Sequence, residues 1–183
     1  MDKKEIEPIR LRQLLEKDVN GMLEWMHDPD IQNNFRVALQ EMGEEEALRF
    51  IKEAECTPVA GKNIHYAIVG ADDEYLGTIS LKNMDLESKN AEYAISLRKK
   101  AQGLGIATEA TMEILRKAFE DFGLERVYLN VLSENKRAIH LYEKCGFVFE
   151  GEFRKHLFLR GTFKTLRWYS ILKEEYKKNG IGF

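Results

Sequence analysis

Gly103 and Gly105, in the run Lys100-Ala101-Gln102-Gly103-Leu104-Gly105-Ile106-Ala107, stand where a predicted strand gives way to a predicted helix. The first turn of a helix leaves backbone N–H groups without partners and carries a partial positive charge. Glycines let an anion approach that backbone without meeting a Cβ. The turn therefore suits a phosphate or pyrophosphate. Arg98, Lys99 and Lys100 precede it and add Coulomb attraction, worth about 1 kcal/mol or less for an exposed pair of charges. No G-x-x-x-x-G-K-[ST] pattern occurs, and the glycines come late in the chain rather than after a first strand. P-loop and dinucleotide chemistry are thereby disfavoured. A second polar cluster follows at Asn135 and Tyr142, on a helix whose stripe is Ala138, Leu141, Tyr142 and Cys145. Asn135 suits the N-cap, and Tyr142 pairs an apolar body with a polar tip. His27, His65, His140 and His156 have neither metal-ligand spacing nor a recognisable partner, and Cys145 reads as a small buried residue.

These groups need a scaffold, and composition bounds it. The chain has 183 residues, 44% hydrophobic and 32% charged, with a formal net charge of −3. One soluble domain over 1–183 is expected, with a core over about 9–176 and short loose termini. The acidic balance argues against general binding to nucleic acid or anionic membrane. Cys56 and Cys145 form no zinc-type pattern, so no metal is expected. With no apolar run of signal or membrane-span length, the expected compartment is the cytoplasm.

Hydrophobic periodicity predicts strands over 9–14, 65–69, 75–81, 91–97 and 127–132, another beginning at 147–149, and a hairpin around Gly161. Helices are predicted from Asp18 to the Asp28-Pro29-Asp30 stop, over 44–55, over 106–122 with Gly123 as C-cap, and over 135–145. The strands up to 97 read as an antiparallel meander. The later helix, strand, helix, strand order reads as a parallel-type unit. Together they predict an α/β (mixed α+β) fold in which helices cover both faces of a mixed sheet.

Lys100 to Gly105 resembles the acetyl-CoA signature of the GNAT acetyltransferase superfamily: Gln or Arg, two residues, Gly, one residue, Gly or Ala. Lys100 occupies the first position and keeps the charge without the planar guanidinium fork. Asn135-Lys136-Arg137-Ala138-Ile139-His140-Leu141-Tyr142, followed by Gly146-Phe147, is similar to the second signature of that family. The resemblance covers about 9–176 and is nearest to the branch of ribosomal-protein alanine acetyltransferases. It implies a central, mostly antiparallel sheet of about seven strands whose fourth and fifth splay apart to admit the pantetheine of acetyl-CoA.

By resemblance, Ile95, Leu97, Lys100, Gln102, Gly103, Leu104, Gly105, Ile106, Ala107, Asn130, Asn135, Ala138 and Tyr142 bind the cofactor. Tyr142 would also protonate the departing thiolate. A phenol of ordinary pKa about 10 is protonated at pH 7, whereas a thiolate of pKa about 8 to 9 needs a proton. Glu92 matches the position of a general base for the acceptor ammonium, and the strand holding Tyr93, Ala94 and Ile95 offers an N–H for the oxyanion. The acceptor pocket is expected around Trp25, Asp28, Asn33, Phe35 and Arg36, and along the hairpin from Arg154 to Phe163. The implied activity is transfer of acetyl to a primary amine in a ternary complex, the acceptor being a protein N-terminus or a small molecule. The alternatives are a nucleotide-linked amino sugar, a polyamine, or a non-catalytic acetyl-CoA-binding module. A monomer or homodimer is expected.

Overall fold

The computed structural model describes residues 8–33 and 39–178. Phe35 and Arg36 lie outside the described residues, as does the end of the predicted tail beyond Lys178. The chain opens with β1 (Arg10–Gln13), α1 (Val19–Met26), the one-turn α2 (Pro29–Gln32) and α3 (Glu44–Glu53). Next come β2 (Ile64–Val69), β3 (Tyr75–Asp85), β4 (Asn90–Leu97), α4 (Ile106–Arg116) and β5 (Arg126–Leu132). The remainder is α5 (Lys136–Lys144), β6 (Val148–Leu159), β7 (Thr162–Leu172) and α6 (Lys173–Lys178).

The strands form one seven-stranded sheet in the order β1-β2-β3-β4-β5-β7-β6. Neighbours are antiparallel except β4 and β5, which run parallel across the α4 crossover. Every residue of β2 is buried, because the sheet is covered on both faces. Ile64, Tyr66 and Ile68 face the core that α4, α5 and Tyr176 complete. Ala67 and Val69 face a second core built on Leu14, Met22, Trp25, Ala47 and Ile51 of the first helical layer.

The expected splay is present. The β4–β5 ladder holds only Asn90–Arg126, Ala91–Val127 and Glu92–Tyr128, although both strands continue beyond it. From Tyr93 onward, the edge of β4 facing β5 is unpaired with it, and the two strands form a V with Glu92 near its apex. Two expectations need adjustment. The predicted helix 106–122 is α-helical only to Arg116 and continues as a π-helical turn over Lys117–Asp121, closed by the Phe122 N–H donating to the Lys117 carbonyl at 2.9 Å. β5 and β6 point the same way but are not neighbours: β7 inserts between them and pairs antiparallel with both.

Candidate active site

The phosphate turn is built as its glycines require. Gly103 and Gly105 have φ of +77° and +84°, a region that a Cβ makes costly. Gly105 is the N-cap of α4, and a Cβ added at Gly103 would meet only open space. Among the described residues, the amides of Gly103, Leu104, Gly105, Ile106 and Ala107 donate to no protein acceptor, whereas the Thr108 amide already bonds the Gly105 carbonyl at 2.9 Å. Five N–H groups without an acceptor among the described residues, around two left-handed glycines, form a concave cradle of the kind that can accept an anion. The cradle is held in place from below. The Tyr93 and Thr111 hydroxyls are 2.7 Å apart, and Thr111 donates to the Ala107 carbonyl at 2.6 Å, tying the first turns of α4 to β4.

The flanking cations do not stand free. Lys100 is bonded to Glu74, and Arg98 grips Glu24 at 2.6 and 2.7 Å while also reaching the Tyr75 carbonyl at 2.8 Å. Lys99 lies 3.9 Å from Asp30. The three bases were expected to add Coulomb attraction for a polyphosphate, and Lys100 to bind the cofactor; acidic residues from α1, from α2 and from the turn before β3 lie against them. Arg137, a residue the signatures do not single out, reaches the same turn. It stands on the first turn of α5 and donates to the Gln102 carboxamide at 2.8 Å, while Gln102 donates to the Leu97 carbonyl at 3.1 Å. A base in the first turn of the helix after the cleft was its only signal in the sequence.

On the opposite arm of the V, the Asn135 carboxamide oxygen caps α5 through the Ala138 amide at 3.1 Å. This sets the pitch of α5, so that Tyr142 packs edge-on to Tyr93, with ring centroids 5.7 Å apart, and lies 6.0 Å from Phe147. The Tyr142 hydroxyl bonds none of the described residues. Burial pushes its phenol up to about 12, with a smaller contribution from Cys145. Cys145 is fully buried and burial raises its thiol to about 11, which leaves no nucleophile there.

Glu92 is mostly buried and accepts three hydrogen bonds: from Lys82 at 3.1 Å, from Asn83 at 2.8 Å and from Asn130 at 3.3 Å. Lys82 is its direct cross-strand neighbour, and Asn83 reaches it from a bulge with φ +50°. Asn130, expected to bind cofactor, joins the two arms of the V through Glu92. Leu97 is buried, and Ile95 packs on the main core beside the free edge of β4.

The acceptor residues are less well served. Trp25 lies in the second core with its indole N–H on the Tyr75 hydroxyl at 2.8 Å, so it is packing rather than pocket wall. Asp28 caps α2 by accepting from the Asp30 amide at 2.9 Å. Asn33 is exposed and accepts from Arg160 at the tip of the β6–β7 hairpin, which joins the two expected walls of the pocket. Arg154 sits exposed on the outermost strand, two strands from β5, and makes no ion pair within the described chain. Trp168, the neighbour of Asn130 on β7, was not anticipated. Its ring lies 6.1 Å from Tyr128 and 5.3 Å from Phe153, and its buried Nε1 has no hydrogen-bond partner among the described residues.

A family model described as an acetyltransferase (GNAT) domain matches residues 9–148. The chain belongs to the GNAT acetyltransferases. It is 31% identical over 121 residues to spermidine N(1)-acetyltransferase of Vibrio cholerae, covering 63% of this chain and 70% of that one. It is 34% identical over 106 residues to a putative ribosomal N-acetyltransferase of Bacillus subtilis, covering 58% of each. The fold matches that of a Vibrio cholerae spermidine N-acetyltransferase in complex with CoA and spermine. There the TM-score is 0.82 at 24% identity, covering 92% of this chain and 98% of that one. The protein is an acetyl-CoA-dependent N-acetyltransferase, and the free cradle amides fit the phosphates of that substrate. Among the described residues, no helix is long and apolar enough to cross a membrane and no group of side chains could hold a metal ion.

Proposed function

We propose that the acceptor is a polyamine. The observation that carries this reading is the charge of the segment from Asp28 to Glu46, which holds six carboxylates, at Asp28, Asp30, Glu41, Glu44, Glu45 and Glu46, against one base, Arg36. A polycation is drawn to such a stretch, and a phosphorylated amino sugar is repelled. Relatives named as spermidine acetyltransferases in Vibrio cholerae and Escherichia coli support the same class.

In this reading the cradle amides hold the pyrophosphate of acetyl-CoA, and the unpaired edge of β4 receives the pantetheine arm. Glu92 holds the acceptor ammonium at the apex and takes its proton through water, since only the neutral amine can attack the thioester carbon. An N–H of β4 beyond Glu92 stabilises the oxyanion as the new C–N bond forms. The C–S bond then breaks, and Tyr142 gives its proton to the sulfur. A phenol whose pKa is about 12 enters the step protonated, and the phenolate left after transfer takes up the proton that the new amide nitrogen sheds, which restores Tyr142 for the next turnover.

A second reading, a peptide N-terminus, is favoured by Trp168. Its orphan Nε1–H would find a partner in the carbonyl oxygen beside an α-amine, and a polyamine offers no such oxygen. Thiol release from acetyl-CoA, followed with a thiol-reactive dye, separates the two. Spermidine and spermine, peptides beginning with Ser or Ala, and nucleotide-linked amino sugars are compared as acceptors. Turnover with the polyamines is the expected result; turnover confined to the peptides would replace the polyamine reading with the second.

A further inference from the structure

Consecutive residues of a regular strand point to opposite faces of a sheet. Lys82 and Asn83 break that rule, because both reach Glu92. The cause is a bulge. β3 and β4 pair up to Lys82–Glu92, and the next pair is Asp85–Asn90, so two residues of β3 stand against Ala91 alone. Asn83 takes φ +50°, a left-handed conformation that is costly for a residue with a side chain, and its amide N–H donates to the Asn63 carboxamide oxygen at 2.9 Å. A bulge re-aims side chains. Here it leaves a carboxylate with both oxygens engaged: Oε2 accepts from Asn83 at 2.8 Å, and Oε1 accepts from Lys82 at 3.1 Å and from Asn130 at 3.3 Å.

Oε1 is the decisive atom. Asn130 reaches it from β5, so the Lys82 ammonium that shares it is held at the apex of the V. The Lys82 side chain is 34% exposed and that of Glu92 is 16% exposed, so the pair borders solvent rather than being sealed in the core. The other paired lysines among the described residues hold carboxylates elsewhere. In the proposed reaction the acceptor ammonium rests on Glu92, and a primary amine of the chain itself already occupies that place.

We infer that Lys82 is a self-acetylation site: with acetyl-CoA bound and no external amine present, the protein transfers one acetyl group in cis to its own Lys82 Nζ. This rests on acceptor binding at Glu92 but not on the acceptor being a polyamine. The N–H already directed at Glu92 gives its proton to that carboxylate, and the neutral amine attacks the thioester carbon. The C–N bond forms, the C–S bond breaks with its electron pair leaving on sulfur, and Tyr142 protonates the thiolate. The second proton, shed by the new amide nitrogen, returns to the Tyr142 phenolate, and Glu92 passes its own to water. The products are acetylated Lys82, CoA and one proton. Loss of the ammonium leaves Glu92 with only the neutral donors Asn83 and Asn130, a charge state that favours a cationic acceptor.

Incubation of the purified protein with acetyl-CoA alone tests this, with intact mass and peptide maps recorded before and after. The expected result is a gain of one acetyl group per chain, located on Lys82. Because the transfer is intramolecular, its rate per chain should stay constant over about a hundredfold range of protein concentration. Tyr142→Phe should slow it by about a hundredfold, which separates it from direct acetylation of surface lysines by the thioester. Lys82→Arg keeps a cation beside Glu92 and should hold its starting mass; the wild-type map decides the site whether or not that variant folds. A wild type whose Lys82 stays unmodified would overturn the inference, and turnover of an external amine by the same preparation would leave the acceptor reading standing. Acetyl groups spread over surface lysines and undiminished in Tyr142→Phe would also overturn it, as would a rate that climbs with protein concentration. Acetylation of Lys82 by a protein that ignores polyamines would support it and refute only the polyamine reading.

Discussion

A phenol pushed up to about 12 by burial keeps its proton across the physiological range, so Tyr142 enters each turnover as a donor. Replacing it with Phe keeps the ring contacts with Tyr93 and Phe147 and removes only the hydroxyl. The expected outcome for Tyr142→Phe is a fall in kcat of about a hundredfold or more. CoA affinity by calorimetry should move by less than about threefold, a shift below 1 kcal/mol. An equal loss in both quantities would make Tyr142 a packing residue of the cleft. Glu74 offers a test of opposite sign. It holds Lys100 away from the cradle, and Glu74→Gln frees that ammonium for phosphate. CoA should bind more tightly, by no more than about fivefold for an exposed pair, and the gain should shrink in high salt. At this scale the sequence was most legible where one residue type satisfies one local geometry. Glycine at φ +77° and +84° and asparagine at a helix cap are read from neighbours in the chain. The capture of Lys100 by Glu74, or of Trp25 by Tyr75, joins residues far apart in sequence, and no spacing rule announces it.

The elements show the same division. β2, β3 and β4 were legible because a meander pairs consecutive segments, and α4 because its apolar stripe repeats on the helical period. The insertion of β7 between β5 and β6 was not, since strand order depends on the whole sheet. Nor was the π-helical turn that ends α4, because it preserves much of the same stripe. The cleft itself depends on how closely β3 holds β4. A Cβ added at Gly77 would lie 2.3 Å from the Ser96 carbonyl oxygen and 3.0 Å from the Leu97 Cα, so β4 must move if that glycine is replaced. Gly77→Ala should lower stability by about 1–3 kcal/mol, read as an earlier denaturation midpoint at constant m. Because β4 carries the free edge of the V, KM for acetyl-CoA should rise in the same variant. A shift in midpoint with no change in KM would separate the β3–β4 contact from the cleft.

At the scale of the molecule, the two faces of the sheet differ in how they respond to acid. The face that carries Glu92 also buries His65, whose Nδ1 lies 2.7 Å from the Ser80 hydroxyl and whose ring packs 4.4 Å from Phe50. Burial, with a smaller push from Lys82, lowers its pKa from 6.5 to about 4. The folded chain therefore holds His65 neutral at a pH where the unfolded chain has already protonated it. The stabilisation this provides is present in full above the unfolded pKa near 6.5 and is lost as pH falls towards 4. A shift of that size corresponds to about 3 kcal/mol at most. His65→Phe keeps the ring beside Phe50 but leaves the Ser80 hydroxyl unpaired, so it should be less stable at pH 7 by about 1–3 kcal/mol. Its stability should then fall less steeply between pH 6.5 and 4 than that of the wild type. Urea denaturation of both proteins across that range reads the slope independently of the offset. Converging curves on acidification would establish His65 as a buried neutral group, whereas parallel curves would mean that it titrates alike in the folded and unfolded chains and that acid sensitivity arises elsewhere in the sheet.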